Sequence, residues 1–208
     1  MSALQSSLFD GDGEPALTAL GAGLVRTQLD ARSWVDHQLG WVVGSDALFD
    51  DLLRAAPWRA ERRQMYDRVV DVPRLVCWYA AAAELPHAVL AEARLRLSAH
   101  YRDTLPEGFA SAGLCLYRDG RDSVAWHGDT IGRGRTEDTL VAILSLGAPR
   151  ALVLRPRGGG PSTRFVLGHG DLLVMGGSCQ REWEHAVPKT TRPAGPRISV
   201  QFRPSGVR

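Results

Sequence analysis

The sequence predicts a mostly β protein with flanking helices, built as a double-sheet jelly roll. After Pro106, eight short segments of strand type follow one another at close spacing, separated by Gly, Pro, Asp and Arg. Before Pro106, two segments carry apolar residues at helical spacing. Eight short strands are typical of a jelly roll, and we expect the two helices to pack against one of its sheets.

Length and composition fit one domain over 1–208. The chain has 208 residues, of which 44% are hydrophobic and 23% are charged, as in an ordinary globular domain. Within it we expect a flexible tail at 1–15, N-terminal helices over 16–106 and the jelly-roll core over 107–208.

Nothing in the sequence indicates a membrane or an oxidising compartment. No apolar run approaches the roughly 20 residues that span a bilayer, and the first residues lack a basic region followed by an apolar one. The three cysteines form no CxxC pair, which argues against a disulfide framework or a zinc knuckle. We expect a cytoplasmic monomer without a membrane partner.

The N-terminal elements follow from local patterns. LVRTQL at 24–29 predicts a strand, and helices are predicted at 45–56, with Ser45 as N-cap, and at 86–104, with Pro86 in the first turn. The segment between the helices mixes arginine with aromatic residues and has no clean period. The apolar stripes of the helices are Leu48, Leu52 and Leu53, and Leu90, Leu97 and Tyr101, respectively.

The eight C-terminal segments are AGLCLYR, SVAWHGD, TLVAILSL, RALVLRP, TRFVL, DLLVMGG, EWEHAV and RISVQFR. The tripeptide His-Gly-Asp occurs twice in this region, at 127–129 and at 169–171. Side chains two apart in a strand face the same side, so His127 and Asp129 can reach one ion together. The second copy lies between two apolar runs and is flanked by Gly168, which favours a turn in which Asp bonds backbone amides.

A third ligand would complete a metal site. Two histidines and one carboxylate form the triad of non-haem Fe(II) oxygenases, and His185 in EWEHAVP supplies the second histidine. For the first tripeptide taken alone, an exposed strand end remains an equally good interpretation. In RISVQFR, polar Arg197, Ser199, Gln201 and Arg203 alternate with apolar residues. Arginines on an inward face need an anionic partner such as a dicarboxylate, although a salt-bridged outer strand would show the same pattern.

Taken in order, LYRDG, HGD, LSLG, LGHGDLLVMGG, EHAVP and RISVQFR resemble the AlkB-type Fe(II)- and 2-oxoglutarate-dependent dioxygenases, over roughly 111–204. The resemblance implies a double-stranded β-helix (jelly roll) that uses Fe(II), 2-oxoglutarate and O2. It implies that iron is bound by His127, Asp129 and His185, with no catalytic side chain beyond this metal centre.

The resemblance also implies a cosubstrate site. Tyr117 and Arg197 would hold the remote carboxylate of 2-oxoglutarate, and Arg203 would steady the end near the metal. Where the family often has two asparagines, this chain has Cys115 and Ser199. We therefore expect Ser199 to contact the cosubstrate through fewer hydrogen bonds than an asparagine would make.

For the substrate, the resemblance implies that the region before residue 107 forms a nucleotide-recognition lid. A methylated base must leave the stack to reach a buried iron, which requires aromatic walls and phosphate contacts. The base-stacking candidates are Tyr66, Trp78 and Tyr79, and the basic residues near them and after the HGD motif give the candidate phosphate contacts Arg62, Arg74, Arg133 and Arg135. Solvated arginines and a core position for Trp78 remain the alternative interpretation.

Three functions therefore stay open. The first is an oxidative demethylase of alkylated DNA or RNA bases, such as N1-methyladenine and N3-methylcytosine, that releases formaldehyde, succinate and CO2. The second is a hydroxylase or demethylase of a small molecule, tRNA or protein; it gains weight because Thr130, Ile131 and Gly132 follow the HGD motif where repair members commonly carry acidic residues. The third is a jelly-roll binding module without catalysis.

Overall fold

Two β-sheets face each other and enclose the interior of the molecule. The structure is a computed structural model that describes residues 13–65 and 68–207. The larger sheet has eight strands in the order β2-β3-β12-β9-β14-β7-β6-β5, and the smaller has four in the order β11-β10-β13-β8. The strands of the N-terminal half are β1 (Ala16–Leu17), β2 (Val25–Gln28), β3 (Ser33–Gln38), β4 (Val42–Val43), β5 (Arg59–Met65) and β6 (Arg68–Tyr79).

Each of the eight segments predicted after Pro106 forms a strand. These strands are β7 (Ser111–Tyr117), β8 (Val124–His127), β9 (Val141–Gly147), β10 (Arg150–Pro156), β11 (Thr163–Leu167), β12 (Asp171–Gly177), β13 (Trp183–Val187) and β14 (Arg197–Arg203). The chain passes repeatedly between the two sheets and every strand pair is antiparallel, which fits a jelly roll. The prediction of a mostly β protein is confirmed.

The larger sheet is covered on both faces, so its central strands are buried almost throughout. Its inner face meets the smaller sheet through apolar residues such as Ile143, Leu154 and Leu173. Its outer face meets two helices, α1 (Ser45–Ala55) and α2 (Ala88–His100). A third helix, α3 (Cys179–Glu182), is a single turn before β13.

The two longer helices bury most of the residues that their periodicity indicates, and three details differ from the prediction. The second helix covers Ala88–His100 with His87 as its N-cap, so Pro86 precedes the helix and does not lie in its first turn. Leu48, Leu90 and Leu97 are fully buried, whereas Leu53 is 38% exposed. Ser45 is the first residue of α1 and not its N-cap; Gly44 takes that position in a left-handed conformation. The Ser45 hydroxyl instead donates to the carbonyl of Val42 at 2.8 Å.

The N-terminal half also contributes strands that its pattern does not predict. The strand β3 pairs with β12, and β6 pairs with β7, so both extend the larger sheet. In β3, Asp36 is buried because Arg26 and Tyr101 bond its carboxylate, and this buried polar residue breaks the apolar alternation. The flexible tail expected at 1–15 lies, up to residue 12, outside the described residues.

Among the described residues, no helix is both long enough and apolar enough to cross a lipid bilayer.

Candidate metal and cosubstrate site

Three potential metal ligands meet where β8 lies beside β13. His127 ends β8 and pairs with His185 of β13, and Asp129 follows two residues later. One ligand atom from each of these side chains lies within 4.8 Å of the other two. The imidazole ring centroids of the histidines are 4.2 Å apart. Strand pairing thus brings together residues that are remote in sequence.

The histidines are prepared to donate lone pairs. The Nδ1 of His127 lies 2.9 Å from the carbonyl oxygen of Ala125; since a carbonyl only accepts, Nδ1 carries the proton and Nε2 is free for a metal. Burial, followed by the neighbouring His127, lowers the pKa of His185 to about 3. Burial also lowers the pKa of His127. Both rings are therefore neutral near pH 7, as metal ligation requires.

Asp129 is buried but charged. Its Oδ2 accepts a hydrogen bond from Nε of Arg203 at 2.7 Å, and only 4% of the residue is exposed. Burial alone would raise the pKa of this carboxyl, but Arg203 and His185 outweigh burial and hold the pKa below its usual range. A paired, ionised carboxylate beside two neutral imidazoles is a donor set that suits Fe(II).

The turn that carries Asp129 is fixed by α3. The backbone N–H of Asp129 donates to Oε1 of Gln180 at 2.9 Å, and Gln180 is almost wholly buried. A Cβ on Gly128 would lie 2.5 Å from the carbonyl oxygen of Gln180, so only glycine permits this close approach. Sequence reasoning did not single out Gln180, because its partner is a backbone group from a distant segment.

The second His-Gly-Asp is part of a turn. Asp171 accepts from the backbone N–H groups of Gly40 at 2.9 Å and Gly168 at 2.7 Å. His169 accepts through Nδ1 from the N–H of Gly147 at 2.6 Å. The side chains bond in different directions, so the structure gives this copy a role in holding segments together.

A cavity extends from the metal ligands along the inner face of β14. It is lined by Arg74, Cys115, Tyr117, Val124, His127, Ile143, Leu152, His185, Val187, Arg197, Ser199, Gln201 and Arg203. Arg197 is 1% exposed and donates through Nε to the Ser145 hydroxyl at 2.9 Å. Its Nη1 is buried and has no acceptor among the described residues. A buried guanidinium N–H without a partner is rare, and a ligand carboxylate in this cavity would satisfy it.

The residues present therefore fit both groups that the sequence implies. Two imidazoles and a carboxylate converge at one end of the cavity, and the open donor of Arg197 lies in the wall of the same cavity. Tyr117 pairs directly with Arg197 across β7 and β14 and is buried beside it. Burial, followed by Cys115, raises the pKa of Tyr117 to about 12, so its hydroxyl keeps the proton that it could donate to a carboxylate.

The cavity wall carries Cys115 and Ser199 at the two positions where the family often has asparagine. Ser199 is bonded to Gln201, whose Nε2 donates to the Ser199 hydroxyl at 2.6 Å. The thiol of Cys115 lies 3.7 Å from Oε1 of the same glutamine. Gln201 lines the cavity, and the sequence does not predict this role. The alternation of polar and apolar residues in RISVQFR does place Gln201 on the same face of the strand as Arg197 and Arg203.

The aromatic candidates for base stacking separate between the faces of β6. Trp78 pairs with Gly113 and is 42% exposed, with the guanidinium carbon of Arg203 5.8 Å from its ring centroid. Tyr79 packs on the opposite face, against the helix-side core. The structure thus brings Trp78, but not Tyr79, to the side of the cavity. Tyr66 lies outside the described residues.

Of the four candidate phosphate-binding arginines, the structure describes the side chains of two, Arg74 and Arg135, and these lie in different surroundings. Arg74 lines the cavity, deeper than a contact with a nucleic-acid backbone requires. Arg135 is exposed in a short 3-10 turn just after the metal motif. The side chains of Arg62 and Arg133 lie outside the described part of the chain.

Comparison with known proteins gives the site a family. The family model described as 2OG-Fe(II) oxygenase superfamily matches residues 37–203, a span that contains every ligand described above. The chain belongs to this superfamily. Membership of this superfamily implies Fe(II), 2-oxoglutarate and O2.

Relatives within the superfamily carry AlkB names. The bovine protein "Alpha-ketoglutarate-dependent dioxygenase alkB homolog 3" is 33% identical over 185 residues, covering 76% of this chain and 61% of the relative. The human protein of the same name is 31% identical with the same coverage. "DNA oxidative demethylase ALKBH2" of Arabidopsis thaliana is 30% identical, covering 74% of this chain and 60% of the relative. Together with the family model, these names confirm the resemblance to AlkB-type 2-oxoglutarate-dependent dioxygenases that the motifs predict. The chain spans about three fifths of the length of these relatives.

Proposed function

We propose that this AlkB-type oxygenase is an oxidative demethylase of N-alkylated bases in DNA or RNA, such as N1-methyladenine and N3-methylcytosine. Its products would be the unmodified base, formaldehyde, succinate and CO2. The observation that carries the proposal is one cavity that joins the His127, Asp129 and His185 triad to the open donor of Arg197. The names of relatives, which include a DNA oxidative demethylase, support the substrate class.

The chemistry supplied by iron, 2-oxoglutarate and O2 when bound is hydroxylation of an N-methyl group, whose hemiaminal breaks down to formaldehyde and the free nitrogen. His127 and His185 would bind iron as neutral imidazoles and Asp129 as a carboxylate. Three protein ligands leave the other coordination positions for small molecules. No other side chain needs to take or give a proton.

The cavity residues would orient the cosubstrate and keep water out. Arg197 and the Tyr117 hydroxyl would donate to the remote carboxylate, since both are buried at one end of the cavity. Arg203 lies beside Asp129 and would steady the carboxylate at the metal end, with Ser199 between the two arginines. The apolar lining residues, which would exclude water from the reaction, are Val124, Ile143, Leu152 and Val187.

The substrate base would enter beside Trp78. This indole is partly exposed on the cavity side of β6, and a flipped base can stack on its face. Exposed Arg135, with Arg62 and Arg133, would contact phosphates, and Tyr66 remains a second stacking candidate. We further propose that the protein acts as a monomer in the cytoplasm.

One observation favours a second function, hydroxylation or demethylation of a small molecule, tRNA or protein. The residues after Asp129 are Thr130, Ile131 and Gly132, and Ile131 is 68% exposed. This rim offers no carboxylate to a cationic methylated base. A non-catalytic binding module is disfavoured because the triad and both arginines are present.

The test is formaldehyde release from an oligonucleotide that contains one N1-methyladenine, with Fe(II), 2-oxoglutarate and O2. We expect faster turnover of the oligonucleotide than of the free nucleoside, and binding that weakens steeply with salt because phosphates are contacted. Equal turnover of the nucleoside would favour the second function. Absence of iron-dependent succinate formation with any substrate would contradict both.

Trp78 offers a sharper measurement in the same assay. Trp78→Ala should raise KM for the oligonucleotide about tenfold, since base stacking contributes about 1–3 kcal/mol. Tyr79→Phe is the matched control, because it keeps the packing of a neighbouring aromatic ring on the other face. An unchanged KM in Trp78→Ala would remove this residue from the substrate site.

A further inference from the structure

A third arginine points to the same end of the cavity as Arg197. The last pair of the β6–β7 ladder, Leu75 with Leu116, brings Arg74 level with Tyr117. Tyr117 in turn pairs with Arg197 on β14. Arg74, Tyr117 and Arg197 therefore form one row across three neighbouring strands, and all three line the cavity.

The guanidinium of Arg74 is only partly satisfied by the protein. Its Nη1 donates to the carbonyl oxygen of Ser123 at 3.3 Å, which is a long hydrogen bond. Its Nε is buried and has no acceptor among the described residues. Arg197 has the same property at Nη1. Two buried, open N–H donors from two strands thus flank one phenol in one cavity, and such donors normally have a partner.

The position of Arg74 argues against a nucleic-acid phosphate as that partner. Arg74 neighbours His127 and Cys115 in the cavity wall, and its neighbour Pro73 accepts a backbone hydrogen bond from Ser123. A phosphate attached to a polynucleotide would have to enter between the sheets to reach Nε. A small dicarboxylate in that space would accept a hydrogen bond from the buried Nη1 of Arg197, and the same ligand would lie within the cavity that Arg74 lines.

We propose that Arg74 is a cosubstrate-binding residue that donates, together with Arg197 and Tyr117, to the remote carboxylate of 2-oxoglutarate. This inference rests on the proposed use of 2-oxoglutarate by this chain. It replaces the assignment of Arg74 to phosphate binding. Trp78 and Arg74 both lie on β6, so this one strand would supply Trp78 to the substrate and Arg74 to the cosubstrate.

Calorimetric titration of the Mn(II)-loaded protein tests the inference without turnover. Two ligands are compared: 2-oxoglutarate, and 2-oxobutyrate, which keeps the keto-acid end but lacks the remote carboxylate. Arg74→Met should weaken 2-oxoglutarate binding about tenfold to a hundredfold, the range for losing a hydrogen bond to a charged group. Binding of 2-oxobutyrate should not change, and Arg74→Lys should recover part of the loss.

Arg59→Met is the matched control, since Arg59 lies on the same hairpin but is exposed; it should leave both affinities unchanged. The inference is overturned if Arg74→Met binds 2-oxoglutarate as the wild type does, or loses both ligands equally. Weaker oligonucleotide binding alone, with a salt slope lower by about one, would return Arg74 to phosphate contact. Failure of the wild type to bind 2-oxoglutarate would instead refute the proposed function.

Discussion

The same tripeptide, His-Gly-Asp, occupies two different structural settings in this molecule. At 127–129 the histidine and the aspartate both turn toward His185, and their ligand atoms lie within 4.8 Å of one another. At 169–171 the aspartate accepts from backbone N–H groups of two loops, while the histidine accepts from Gly147. The difference is one of backbone: the first copy ends a strand that has a partner histidine beside it, and the second occupies a turn.

The glycines of the two copies make the same point. Gly128 is needed because its Cβ would collide with the carbonyl oxygen of Gln180 at 2.5 Å. Gly170 has a φ of +80°, and a Cβ on it would lie 2.5 Å from the carbonyl oxygen of Val42. One glycine lets a helical turn lie close to a candidate metal ligand, and the other lets the chain reverse.

The largest expected difference between the copies is in metal binding. His127→Ala should lower Mn(II) affinity by more than about 100-fold, because loss of a ligand exceeds the 10- to 100-fold effect of losing a ligand's own partner. His169→Ala should retain wild-type affinity. Equilibrium dialysis with Mn(II) measures both. Loss of binding in the His169 variant alone would reverse the assignment of the two copies.

The second expected difference is in how the free energy of unfolding of the metal-free protein depends on pH, through His185 beside the first copy and Asp171 in the second. In the unfolded chain, His185 takes up a proton near its ordinary pKa of about 6.5, whereas in the folded protein its pKa is about 3. The free energy of unfolding should therefore fall as pH drops through this window, by about 1.4 kcal/mol per pH unit for each such histidine. The pKa of Asp171 is lowered despite its burial, because His37 lies beside the carboxylate and the N–H groups of Gly40 and Gly168 donate to it. Its contribution should therefore be lost only below about pH 4.

Urea unfolding of the metal-free protein between pH 7 and pH 4 measures this slope. His185→Gln should flatten the dependence above pH 4, since glutamine does not titrate. An equally steep curve in that variant would show that the slope comes from elsewhere in the protein.

The third difference is in stability at neutral pH. Asp171→Asn should lower the free energy of unfolding by about 1–3 kcal/mol, because one of the N–H groups of Gly40 and Gly168 would face an NH2 group and stay unsatisfied. Its metal affinity should not change. Asp129→Asn gives the contrast: it should lose metal binding. Chemical denaturation and metal dialysis of both variants distinguish these outcomes, and a metal defect in Asp171→Asn would contradict the turn assignment.

The smallest expected effect concerns the support of the first copy. Gln180→Leu removes the acceptor for the Asp129 N–H and should weaken Mn(II) binding about tenfold. Gln38→Leu is the matched control near the second copy, since Gln38 is also buried and bonded to backbone, at Ala19. It should cost stability without a change in metal affinity. Equal metal affinity in both variants would mean that Gln180 does not position Asp129.

The strands after Pro106 could be predicted because they depend on short-range patterns, and the triad could be proposed because two of its members lie two residues apart. Strands follow from apolar segments between turn residues, and the triad from a strand with two facing ligands plus a remote histidine. The alternation of neighbouring residues could also have separated Trp78 from Tyr79. The arginine-rich segment at 58–79 has no clear strand period, however, and so does not itself indicate that residues 78 and 79 lie in a strand.

The remainder depended on contacts between distant segments. The strand β3 was not predicted because buried Asp36 and Gln38 obtain their partners from Arg26, Tyr101 and the first loop. The depth of Arg74 follows from the register of β6 on β7, which no local pattern specifies. Arg74 and Arg59 lie on the two strands of one hairpin, yet Arg74 lines a cavity and Arg59 is exposed.

The pairing of β6 with β7 has a practical consequence for work on the hairpin. If β5 and β6 were deleted to study recognition, the backbone N–H and C=O groups of β7 over Ala112–Leu116 would lose their partners on that side. An unprotected strand border of this kind recruits other chains and promotes aggregation. Exchange of both strands for those of a relative keeps the ladder closed, and it is therefore the sounder way to transfer substrate preference.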